Sequence, residues 1–71
     1  MDCSVKYCSG FQGDLPKIVT FSLQNHDYFV DEIIAKWKGQ DYDYWKLLTD
    51  DGKKFIITHD QNTQKWNCDQ L

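Results

Sequence analysis

The chain has 71 residues, 15% of them aromatic, with a net charge of -3 at pH 7 and no Arg among its eight basic residues. A chain this short buries only about 60% of the surface its unfolded form exposes, so its large rings must carry the core, and scattered lysines without arginine exclude a partner held by its phosphate backbone. No apolar run reaches the roughly 18 residues that span a bilayer, and the start lacks the basic and apolar regions of a signal peptide, so the sequence reads as a soluble, cytosolic protein without a membrane partner.

Residues 1–15 mix Gly, Ser and Cys without a period and read as an irregular segment, with room for one short edge strand over Ser4–Cys8. Residues 16–71 read as a single domain. Its first element is "KIVTFSL", where Val19, Phe21 and Leu23 alternate with Ile18, Thr20 and Ser22 in the period-2 pattern of a strand. "QNHD" is a turn cluster. The next stretch, "YFVDEIIAKWK", admits two readings. Phe29, Ile33, Ile34 and Trp37 approximate one helical face, which would give a helix over residues 28–38 packed on the sheet. The stretch is rich in β-branched and aromatic residues and has no capping box, and Asp31-Glu32 supplies the extra residue of a β-bulge. A long bulged strand is the favoured reading.

"GQDYD" forms the next turn, and "YWKLLT" and "KKFIITH" read as strands paired about Asp50-Asp51-Gly52, a type I turn with Gly at the left-handed position. "DQNTQK" is a further turn, and "WNCDQ" a short closing strand. The predicted fold is an all-β antiparallel meander of about five strands, strongly twisted or closed into part of a barrel. In this order, Tyr28-x-Val30, Ile33 and Trp37, the run Tyr44 to Gly52, Phe55-x-Ile57 and the closing Asp60…Trp66 resemble a family of small bacterial all-β domains of unknown function. The resemblance spans residues 16–70, implies the same β-meander and carries no activity with it.

Three cysteines and a histidine are the first candidates for chemistry. Cys3, Cys8, Cys68 and His59 would make a zinc- or thiol-dependent site if the two ends of the chain met, although structural zinc sites use closely spaced ligand pairs that Cys68 lacks. The ordinary reading is reduced thiols, with Cys68 partly buried on the last strand and a Cys3–Cys8 disulfide able to form only under oxidation. His26 or His59 beside a cysteine would also need an oriented third group and a pocket, for which a sheet this small has little room. Asp41 with Asp43, Asp31 with Glu32 and Asp50 with Asp51 lack the Gly and distal Glu of a calcium loop, and aspartates in turns commonly bond nearby backbone N–H groups. No cofactor is expected.

Aromatic surface is the remaining signal. Parity along the hairpin predicts Trp37, Leu48, Phe55, Ile57 and Trp66 in the core, leaving Trp45, Leu47 and Ile56 on the opposite face as candidate interface residues. The expected function is a non-enzymatic interaction module that binds a protein partner or a second copy through an aromatic face or a strand edge, with nucleic acid disfavoured by the acidic balance.

Overall fold

The computed structural model describes residues 3–8, 15 and 17–71, so residues 1–2 and 9–14 of the irregular segment expected over 1–15 lie outside the described residues. Six strands follow one another in an antiparallel meander: β1 (Ser4–Cys8), β2 (Lys17–Leu23), β3 (His26–Lys38), β4 (Tyr42–Thr49), β5 (Lys54–Asp60) and β6 (Trp66–Gln70). Each pairs with its neighbours in chain order, and the sheet curls into a half-barrel. The count is six rather than five because Ser4–Cys8 pairs along β2. Residues 28–38 are strand and not helix, and no helix occurs among the described residues.

Irregular registers accompany the curl. Between β1 and β2 the pairing passes from Lys6–Thr20 to Tyr7–Ile18, leaving Val19 as an extra residue. Between β3 and β4 it skips Asp31 and again Ile34. A bulge bends its strand and increases the local twist, and all three extra residues are exposed. The irregularity expected at Asp31-Glu32 is present, and the one at Ile34 is additional. The bulge at Val19 also corrects the expected alternation of β2, because it brings Ile18 and Phe21, three residues apart, into the same core while Val19 points out.

The core lies inside the curl. Ile18, Phe21, Trp45, Leu47, Phe55, Ile57 and Cys68 are buried, with Tyr28, Val30, Ile33 and Trp66 packed against them. Phe21 meets Phe55 edge-on at 5.0 Å, and Tyr28 lies 4.8 Å from Phe55, so these rings join β2 and β3 to β5. Trp45 meets Trp66 at 5.3 Å. Each fully buried large side chain contributes on the order of 1.5–3 kcal/mol relative to an exposed one.

The expected faces of β4 are reversed. Trp45 and Leu47 are fully buried at 0% exposure, whereas Leu48 is only partly buried and Trp37 is 44% exposed. The hairpin register explains this: Trp45 pairs with Ile57 and Leu47 with Phe55, so odd-numbered residues of both strands share the inner face. Leu48 pairs with Lys54, and Ile56 pairs with Lys46 on the outer face, where it is half-buried. Phe55 and Ile57 are in the core as expected, and Trp66 packs at its margin.

The disulfide between Cys3 and Cys68, with Cα atoms 6.1 Å apart, ties the chain just before β1 to β6. Beside it the Cys3 N–H donates to the Trp66 carbonyl at 3.4 Å.

Candidate functional site

The outer face of the sheet carries the aromatic surface, and its position follows from the same parity. Tyr42 and Tyr44 alternate with the buried Asp43 and Trp45, and therefore point outward together. Across the sheet Tyr44 pairs with Trp37 on one side and with Thr58 on the other, and Thr58 pairs with Asn67. One transverse row thus passes from aromatic rings to hydroxyl to amide. Trp37 stacks on Tyr44 with ring centroids 5.2 Å apart and planes inclined by 10°. Tyr42 lies 6.3 Å from Tyr44 at 49° and is 39% exposed.

Gly39 sets the close approach at this end of β4. Its N–H donates to the Tyr42 carbonyl at 2.8 Å, and a Cβ at this position would meet that same oxygen at 2.8 Å and Tyr44 Cε2 at 3.0 Å. Any larger residue would push the backbone or the Tyr44 ring aside. Trp37 and Gly39 together therefore fix where Tyr44 lies.

Tyr42, Tyr44, Thr58, Asn67 and Asp69 line a shallow open notch of about 380 Å³ on this face. Asp60 pairs with Tyr42 at its margin. Its carboxylate accepts the Asn62 N–H at 2.8 Å and the Thr63 N–H at 3.2 Å, and these bonds hold its pKa below the ordinary 3.8. The carboxylate is thus charged at neutral pH, and the margin of the notch is acidic.

A second polar cluster closes one end of the inner face. Asp43 is 9% exposed, and Gln61 Nε2 donates to its Oδ1 at 3.0 Å and to the Gly39 carbonyl at 3.2 Å. His59 Nδ1 lies 3.9 Å from Asp43 Oδ2, and the imidazole packs 4.4 Å from the Trp66 ring. Gln61 thus gives this nearly buried carboxyl group a hydrogen-bond partner at the core margin, which offsets part of the cost of removing it from water.

The residues singled out in the sequence are redistributed. Cys3 and Cys68 are joined to each other, which overturns the expectation of reduced thiols and takes both sulfurs away from a zinc site. His59 faces Asp43 and Trp66, the side chain of Cys8 lies outside the described residues, and no cluster of three metal-ligating side chains occurs among the described residues. Trp45 and Leu47 belong to the core and present no surface, because the hairpin register turns them inward. The outer aromatic residues Trp37, Tyr42 and Tyr44 take their place. Tyr42-x-Tyr44 was readable as a same-face pair, but the inverted parity of β4 assigned that face to the core. No family model, no curated protein and no solved structure matches the chain, so the resemblance to small all-β domains rests on the quoted residues alone.

Proposed function

We propose that the protein is a non-enzymatic binding module that engages a protein partner through the outer aromatic face formed by Trp37, Tyr42 and Tyr44. The observation that carries this reading is the exposure of Trp37 and Tyr42 in a fixed ring cluster outside a core that is filled without them. Partly exposed Trp and Tyr are the residue types enriched where protein interfaces concentrate their energy. The Cys3–Cys68 bridge fits an oxidising compartment better than the cytosol expected from the sequence, since disulfides are rare in reducing compartments.

Capture from a lysate of the source cell tests the reading. Wild-type protein and the Trp37→Ala and Tyr42→Ala variants, each verified as folded by amide NMR spectra, are compared as baits. A partner retained by wild type and lost from both variants is the expected result, and equal retention by all three would remove this face from binding.

A further inference from the structure

We propose that the Cys3–Cys68 bridge is a thiol-exchange site, entered by an external thiol at Cys3, whose opening releases β1 from β6. Its chemistry is independent of the binding role proposed for the aromatic face.

The two halves of the bridge have different surroundings. Cys68 is 1% exposed and belongs to the core with Phe55 and Ile57. Cys3 is partly exposed and lines an open recess of about 550 Å³ beside the polar side chains of Ser22, Gln24, Asn25 and Asp27, and Cys68 is not among the lining residues. A thiolate attacks one sulfur of a disulfide from the side opposite the sulfur that leaves, so access decides which of the two is attacked. Attack on Cys68 would have to come through the core, whereas attack on Cys3 starts from the recess. The incoming thiol gives up its proton and bonds to Cys3 Sγ as the bond to Cys68 breaks, and Cys68 leaves as a thiolate and takes up a proton. The products are a mixed disulfide at Cys3 and a free thiol at Cys68. A second external thiol that attacks the outer sulfur of the mixed disulfide completes the reduction and departs as the external disulfide.

The bridge also stands where its loss has a structural effect. β1 and β6 are the two ends of the strand order and share no ladder. Besides the sulfurs, they are joined by the Cys3 N–H bond to the Trp66 carbonyl at 3.4 Å and by the tilted packing of Tyr7 on Trp66 at 5.5 Å. That bond is longer than the roughly 2.7–3.2 Å of a well-formed N–H···O contact, and Tyr7 is 52% exposed. On its other side β1 pairs with β2 through a ladder whose register shifts between Lys6 and Tyr7. The β4–β5 ladder, in contrast, is unbroken and carries Trp45, Leu47, Phe55 and Ile57 in the core. The seam therefore opens while the centre of the sheet holds, and Trp66 loses its cover from Tyr7.

Exchange with N-acetylcysteine tests this on the oxidised full chain carrying Cys8→Ser, so that the third thiol takes no part. After brief exposure without denaturant, free thiols are capped with N-ethylmaleimide in urea and the adducts are located by peptide mass mapping. The expected result is N-acetylcysteine on Cys3 with maleimide on Cys68, at least fivefold over the reverse pattern. Nuclear Overhauser spectra before and after reduction with dithiothreitol test the release. Cross-peaks between the Tyr7 and Trp66 rings should vanish, while those between Phe21 and Phe55, whose centroids are 5.0 Å apart in the core, should remain. A smaller preference for Cys3, or no exchange until denaturant is added, would overturn entry at Cys3. Persistence of the Tyr7–Trp66 cross-peaks would overturn the release. Loss of the Phe21–Phe55 cross-peaks as well would make the bridge a staple of the whole fold, and the proposed local opening would fall.

Discussion

The β2–β3 and β4–β5 hairpins turn the chain in different ways. At Gln24-Asn25 both turn residues have positive φ, 53° and 62°, as a two-residue type I′ turn demands, yet neither is glycine. At residues 49–53 the Gly52 N–H closes the turn on the Thr49 carbonyl at 3.0 Å, and Gly52 alone takes positive φ, 83°. Thr49 is buried and accepts the Lys53 N–H at 3.2 Å, while its hydroxyl donates to Asp51. The β4–β5 ladder then runs unbroken from Leu48–Lys54 to Tyr42–Asp60 and contributes Trp45, Leu47, Phe55 and Ile57 to the core. The β2–β3 ladder covers only Thr20–Phe29 to Leu23–His26 before β3 moves on to pair with β4. Where backbone conformation, ladder and burial agree, the hairpin anchors the fold. Where the turn is strained and the ladder short, it depends on its neighbours.

The largest expected effect tests the anchor. Trp45→Ala should destabilise the protein by roughly 3–5 kcal/mol, enough to unfold a domain of this size, because it empties the centre of the β4–β5 inner face. Urea melts check it, and a loss under 1 kcal/mol would mean that this face is not the core.

Next comes the staple between the ends. Cys3→Ser opens a loop with a sequence separation of 65 and should cost about 2–4 kcal/mol. Hydrogen exchange should then show amides of β1 and β2 losing protection before those of β4 and β5. Simultaneous loss in all strands would make the two hairpins one cooperative unit and dissolve the contrast.

Smaller changes address the turns themselves. Gly52→Val should cost on the order of 1–2 kcal/mol, and the cost isolates backbone strain because a Cβ there meets nothing within 4 Å. The pair Gln24→Asn and Asn25→Gly should instead raise stability by about 1 kcal/mol, since Asn-Gly is the sequence that a type I′ turn favours. Thermal melts of both variants would show opposite signs, and a destabilised Asn-Gly variant would refute strain at the first turn.

This contrast also explains what was legible in the sequence. Strand positions and the Asp50-Asp51-Gly52 turn could be read because alternation and turn chemistry are local. The faces of β4 could not be read from hydrophobicity, since Trp45 and Leu47 on one side are balanced by Tyr44 and Leu48 on the other. The turn held the missing information: placing Thr49 opposite Lys53 puts Leu47 opposite Phe55 and Trp45 opposite Ile57. In β2 and β3 the bulges at Val19 and Ile34 change the parity within a strand, and apolar residues at the bulges themselves conceal the change. The Cys3–Cys68 pairing depends on the accumulated curl of six strands, which no local spacing encodes. Of the residues expected on the outer face, Ile56 lies there half-buried, whereas Trp45 and Leu47 belong to the core.

The bridge between Cys3 and Cys68 also changes how the molecule carries a load. Tension applied through chain before Cys3 and after Cys68 passes through the sulfur–sulfur bond and does not peel strands from the sheet one by one. The region between the two cysteines is a covalent ring, so one protease cut within it leaves a single connected molecule whose fragments reassociate without a concentration cost. The sheet on such a ring keeps its strands in place after a single proteolytic cut for as long as the bridge stays oxidised.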